Sequence, residues 1–169
     1  MKQFKINKNY LLLKNWWETT NLTNYEKSFF NREIISFNQQ LFRLKEKKIR
    51  IGAYGKSGVG KSSVLNCLLE KDIFKTDIIN GSTREIQKVE WTLKDQTLKS
   101  IELLDSPGFD FCNIKFTEKI YSCIHNSDLI LFIVSGDINR NELSEITSLI
   151  KDGKKIIIIL NKIDLLKKK

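Results

Sequence analysis

Proline, histidine and methionine each occur once in the 169 residues of this chain, while lysine, isoleucine and asparagine are used heavily. That skew points to a biased composition as the source of much of the basic character. Cysteine is also scarce. Cys67, Cys112 and Cys123 have neither CxxC spacing nor an even count, which argues against a disulfide framework or a zinc site and for a reducing, cytoplasmic setting. No apolar run approaches the ~20 residues that cross a bilayer. The N-terminus carries Lys2 and Lys5 without the continuous apolar core of a signal peptide, so neither a leader nor a transmembrane helix is expected. Acidic residues number 20 against 29 basic ones, a formal charge of +9. Such a field attracts polyanions, RNA or an anionic membrane surface, without specific contacts. However, dense basic clusters interleaved with aromatics are missing. Lys45-Glu46-Lys47-Lys48 and Lys167-Lys168-Lys169 read as solvated faces.

Hydrophobic residues make up 41% of the chain and charged ones 29%, too apolar for disorder and enough for one folded domain of ordinary size. Its most informative stretch is Gly55-Lys56-Ser57-Gly58-Val59-Gly60-Lys61-Ser62, a GxxxxGK(S/T) loop directly after the strand-like Ile49 to Tyr54. Glycines let successive backbone N–H groups converge on phosphates, and the helix that follows offers its positive N-terminal dipole. Lys61 supplies a point charge and Ser62 a magnesium ligand. Lys56, Ser57, Gly58, Val59, Gly60, Lys61, Ser62 and Ser63 are the expected contacts to a nucleoside triphosphate.

Two zones divide near residue 48. In the first, residues 1–48, Thr23-Asn24-Tyr25-Glu26 has the spacing of a capping box. Phe30, Ile34, Phe37, Leu41 and Leu44 then recur at helical intervals, predicting one long amphipathic helix over 24–47. Its stripe can bury itself on the following sheet, on a shorter helix containing Leu11 to Trp17, or on a second chain as a dimer contact. In the second zone, residues 49–169, strand and helix signals alternate. The pattern predicts strands at 49–55, 86–93, 98–105, 128–135 and 155–160, with helices at 61–70, 115–126 and 140–152. Leu129 to Val134 and Ile156 to Leu160 are continuously apolar, as central parallel strands are. The expected fold class is therefore α/β, a three-layer sandwich around a mostly parallel sheet, preceded by a helical segment.

Asn161-Lys162-Ile163-Asp164 follows the last of these strands, at the carboxyl end where open α/β sheets bind ligands. An aspartate there accepts hydrogen bonds from the N1–H and exocyclic amino group of guanine, a pattern adenine does not supply. Asn161, Lys162 and Asp164 are thus the expected base-site residues. Asp105-Ser106-Pro107-Gly108 ends a strand and fits a DxxG turn in which Asp105 holds a magnesium-bound water and the Gly108 amide approaches the γ-phosphate. In the polar stretch Asn80-Gly81-Ser82-Thr83-Arg84-Glu85, Thr83 is placed to ligate magnesium and close over the γ-phosphate, with Ser82 as the competing choice. Lys61, Thr83 and Gly108 are the expected catalytic residues, and Ser62, Thr83 and Asp105 the expected magnesium ligands.

Phosphate loop, switch threonine, DxxG and NKxD in this order resemble the P-loop GTPase domain of the Era-like, translation-factor-related class, over residues 49–166. Asn80 to Thr83 and Ser127 to Asp137 are similar to bacterial Era-like GTPases with an N-terminal helical segment and, in longer members, a C-terminal hydrophobic domain. The resemblance implies GTP and GDP as ligands, magnesium as cofactor, and a strand order of 2-3-1-4-5-6.

The chain also departs from that pattern. Phe109 stands where many signalling GTPases have a glutamine that orients the attacking water, which predicts slow intrinsic hydrolysis. Gly58 replaces an asparagine that holds potassium in several Era-like relatives. Arg84 is either an arginine finger or a solvent-facing loop residue. The sequence stops at Lys169, before the sixth strand and the last guanine-supporting loop of the family, so the domain is expected to be C-terminally incomplete, with 156–160 as a bare apolar edge open to dimerisation. Three functions follow. One is a GTPase acting as a molecular switch, peripheral to a membrane or not. A second is a non-hydrolysing GTP-dependent module that binds RNA, the ribosome or a membrane. The third is a truncated remnant unable to hold nucleotide.

Overall fold

The computed structural model describes residues 3–76, 85–93, 98–110 and 114–165. Its chain forms two compact units, one of Met1–Ile49 with Thr92–Ile101 and one of Arg50–Trp91 with Glu102–Lys169.

The first unit is mainly helical through its N-terminal part. Helix α1 spans Gln3–Thr19, α2 spans Asn24–Phe29 and α3 spans Asn31–Lys45. The capping box is formed: the Glu26 N–H donates to Thr23 Oγ1 at 3.3 Å, and the Thr23 N–H donates to Glu26 Oε2 at 2.8 Å. The single helix expected over 24–47 is instead two, because Phe30 leaves helical geometry with φ −95° and ψ 22°. The interruption lasts one residue, since the Ile34 N–H still donates to the Phe30 carbonyl at 2.9 Å. Of the three expected partners for the apolar stripe, the short preceding helix supplies contacts: the rings of Trp16 and Trp17 lie 5.8 and 5.0 Å from that of Phe37.

The five-stranded sheet has the order β2-β3-β1-β4-β5, with β1 Lys48–Tyr54, β2 Gln87–Thr92, β3 Ser100–Asp105, β4 Leu129–Val134 and β5 Ile156–Leu160. This is the order expected for the first five strands. β1 pairs parallel with β4 from Ile51↔Leu129 to Tyr54↔Phe132, and β4 with β5 from Ile130↔Ile156 to Val134↔Leu160. The β1–β4 register is set by a reciprocal pair of hydrogen bonds, in which the Arg50 N–H donates to Asp128 Oδ2 at 2.8 Å and the Asp128 N–H to the Arg50 carbonyl at 2.9 Å.

Continuous apolarity in β4 is explained by burial of both faces. Ile130, Phe132 and Val134 join Tyr54, Ile120 and Ile124 of α5 (Ile114–His125), and Ile146 and Leu149 of α6 (Arg140–Lys151) in one cluster, while Leu131 and Ile133 are buried as well. Each such side chain contributes roughly 1.5–3 kcal/mol. These terms outweigh the ~1 kcal/mol of the capping box that Asn139 and Glu142 form at the start of α6. β5 is the outermost described strand on its side, and Ile157, Ile158 and Leu160 are about half exposed.

Helix α4, Lys61–Leu69, carries a buried asparagine that ties down the chain beyond it. Asn66 Nδ2 donates to the Phe74 carbonyl at 2.8 Å, and Asn66 Oδ1 accepts from the Ile73 and Phe74 N–H groups at 3.1 and 2.8 Å. Removing that side chain leaves buried backbone groups without partners. Asn66→Ala is expected to destabilise the protein by about 2–4 kcal/mol in urea denaturation, and a loss under about 1 kcal/mol would contradict this account.

Candidate functional site

The site is built at the carboxyl ends of β1, β3 and β5. After Ala53 and Tyr54, both buried, the chain turns through residues 55–60 and enters α4 at Lys61. Val59, 4% exposed, anchors the turn from below. Gly60 stands at φ 94°, a left-handed conformation that side chains disfavour, and a Cβ built on it would collide with the Asn161 amide nitrogen.

Both ends of the loop are held through their carbonyl groups. Lys61 Nζ donates to the Gly55 and Lys56 carbonyls at 3.2 and 2.7 Å. From the end of β5, Asn161 Nδ2 donates to the Val59 carbonyl at 2.9 Å and Lys162 Nζ to the Gly58 carbonyl at 2.7 Å. A trans peptide places the next N–H on the side opposite its carbonyl. Fixing the carbonyls of 55, 56, 58 and 59 therefore fixes the N–H groups of 56, 57, 59 and 60. Lys162 adopts φ 56°, an uncommon conformation for a lysine that costs on the order of 1–3 kcal/mol.

Lys61 is 6% exposed, and burial brings its ammonium pKa down to about 8 against the opposing charges of Asp105 and Asp110. Ser62 Oγ donates to Asp105 Oδ2 at 2.5 Å. A hydroxyl and a buried carboxylate in contact are the hard oxygen donors that magnesium accepts, alongside water and substrate phosphates. Among the described residues no group of three or more His, Cys, Asp or Glu side chains gathers to hold a metal by itself.

The DxxG turn lies against the loop. Asp105, Ser106 and Pro107 are fully buried, and Ser106 Oγ donates to the Ala53 carbonyl at 2.7 Å. A Cβ on Gly108 would meet the backbone nitrogen and hydroxyl of Ser57 and a carboxylate oxygen of Asp110. The Phe109 ring turns inward, 5.4 Å from Tyr54 and 6.3 Å from Phe132. Asp164 sits exposed in a 3₁₀ turn, Ile163–Leu165, immediately after the two tethering residues.

Lys56, Ser57, Gly58, Val59, Gly60, Lys61 and Ser62 thus meet Asp105, Gly108, Asn161 and Lys162 in one place. Ser63 lies exposed in the first turn of α4. Thr83, Ser82 and Arg84 lie outside the described residues. Sequence reading passed over Asp110, whose Oδ1 accepts the Ser57 N–H at 2.7 Å. No motif marks it, since only the packing of the turn against the loop brings it there.

Sheet order, loop and turn define the P-loop NTPase fold. Residues 50–162 match the family model described as 50S ribosome-binding GTPase, and this chain belongs to that family of GTPases. GTPase Der of Nautilia profundicola is 38% identical over 122 residues, which cover 69% of this chain and 26% of that protein. tRNA modification GTPase MnmE of Desulforamulus reducens is 33% identical over 120 residues, 68% of this chain and 25% of that protein. The chain therefore spans about a quarter of the curated relatives it matches. Among solved structures, Aquifex aeolicus Era bound to GDP and aluminium fluoride superposes with a TM-score of 0.63 at 24% identity, over 72% of this chain and 43% of that one, a likeness of fold. S. thermophilus NFeoB bound to GMPPNP gives a TM-score of 0.56 at 26% identity, over 72% and 48%.

Gly60→Ala tests the tether between loop and β5. Left-handed strain of roughly 1–2 kcal/mol and a displaced Asn161 hydrogen bond of ~1 kcal/mol predict a stability loss of about 2–3 kcal/mol in urea denaturation. An unchanged midpoint would refute the close approach.

Proposed function

We propose that this chain binds GTP with magnesium and hydrolyses it slowly to GDP and phosphate, as a molecular switch. The observation that carries the proposal is the tether. The motif read as the base site, Asn161 to Asp164, is bonded directly to the carbonyls of Gly58 and Val59 in the motif read as the phosphate site. One ligand that spans both is a guanine nucleotide, with Asp164 accepting from the base and the loop amides and Lys61 facing the phosphates.

In this reading Ser62 and Asp105, with Thr83 outside the described residues, would hold magnesium, which when bound would supply neutralisation of the phosphate charge. Lys61 screens the same oxygens. Gly108 brings its amide to the γ-phosphate, and the role expected of Thr83, closing over it, falls to a residue outside the described ones. Phe109 gives its ring to Tyr54 and Phe132, so that side chain offers no polar atom to orient water. Turnover then depends on a group supplied from elsewhere in the chain or by a partner. Phe109 equally favours the second reading, a GTP-dependent binding module without useful turnover. The net charge of +9 makes an RNA or an anionic surface the expected partner class. In that respect the likeness to Era, solved in one case with 16S ribosomal RNA, is consistent with RNA.

Incubating the protein with GTP and magnesium and following phosphate release tests the proposal. The expected rate is on the order of 10⁻³ per second or slower, lost with chelation of magnesium and lost in Lys61→Ala. Tight GTP binding with no release selects the module reading. If calorimetry detects no guanine nucleotide binding by the wild-type protein, both readings fail.

A further inference from the structure

Asp110 is an exposed acidic residue in a site that exists to attract anions. The Ser57 N–H, oriented by the Lys61 bond to the Lys56 carbonyl, donates to Asp110 Oδ1 at 2.7 Å. Three features of the two preceding residues place that carboxylate. Gly108, whose missing Cβ leaves room for both groups, lets the turn lie on the loop. The Phe109 N–H donates to the Gly55 carbonyl at 3.4 Å. Finally, the Phe109 ring is anchored among Tyr54 and Phe132. Burial pushes the Asp110 carboxyl up, but the Ser57 hydrogen bonds and the Lys61 charge outweigh it and hold it below the usual carboxylate range. At neutral pH this is a fixed negative charge in a phosphate cradle.

We propose that Asp110 is a specificity-determining residue: its carboxylate fills an anion seat of the phosphate loop at Ser57, so that a nucleoside triphosphate must expel it while a diphosphate binds with it in place. The proposal rests on the guanine nucleotide reading above, and on Gly108 as the neighbour of the terminal phosphate. A phosphate and a carboxylate cannot share one N–H donor, and two like charges within a few ångströms repel strongly in a partly buried site. The same contact orders the residue after Phe109 before ligand arrives. Triphosphate binding therefore releases the end of this turn, whereas diphosphate binding leaves it docked. Discrimination between the two nucleotides is thus written into one side chain beyond the DxxG motif.

Calorimetric titration of the whole chain with GDP and with a non-hydrolysable GTP analogue, in magnesium, reads the effect. Asp110→Asn keeps the size and the acceptor but removes the charge, whereas Asp110→Ala removes both. Both variants are expected to raise affinity for the triphosphate analogue by about tenfold, as relief of one like-charge contact allows, and to change GDP affinity by less than about twofold. A ratio of triphosphate to diphosphate affinity that stays the same or falls in either variant would overturn the proposal, a fall meaning that Asp110 serves as a ligand. Failure of the underlying reading looks different, because the wild-type protein would then bind neither nucleotide and Lys61→Ala would change nothing.

Discussion

Four carbonyl groups of the phosphate loop are held by side-chain donors, and the rest of the site depends on that constraint. A loop that gathers backbone N–H groups toward one point crowds like partial charges, which is unfavourable unless the opposite sides of the same peptides are compensated. Lys61 does this for the first half of the loop, and Asn161 and Lys162 for the second. Each bond contributes only about 1 kcal/mol net. Their value lies in direction, because planar peptides pass the fixed carbonyl orientation to the next amide. The cradle is thereby assembled by the fold before any ligand pays for ordering it.

The same bonds make the proposed base site and the phosphate loop one mechanical object. Residues 161 and 162 reach across 102 and 104 positions of sequence to the loop. They can do so because β5 is parallel to β4 and β4 to β1, so all three strands end on one side of the sheet. Continuous burial of β4 fixes that arrangement, and the Arg50–Asp128 pair fixes its register. Core packing thus sets distances in the site to within a hydrogen bond.

Much of this was legible in the sequence because periodicity and turn chemistry report it directly. The apolar run 129–134 has no polar face and so announces the buried central strand β4, whereas the equally apolar 156–160 is the outermost described strand, and the three motifs fall at strand ends where ligands bind. The break at Phe30 was not legible, since its apolar stripe continues in phase across the interruption. Neither was Asn66, a polar residue whose role appears only when the chain returns to Phe74. Asp110 was hidden for the same reason: its partner Ser57 lies 53 residues away, and only the folded turn brings them together. Likewise Phe109 reads as a missing glutamine in sequence, whereas in the structure its partly buried ring packs against the core beside Tyr54.

Base selectivity gives the most direct test of the central claim, that Asn161 to Asp164 and the phosphate loop hold one guanine nucleotide together. Competition titrations of GDP against XDP, on the wild-type protein and on Asp164→Asn, measure it. The account predicts that the wild type prefers GDP and that the variant reverses the preference toward XDP by at least about tenfold, because xanthine presents an acceptor where guanine presents its amino group. Equal affinity of the variant for GDP, with no gain for XDP, would contradict it.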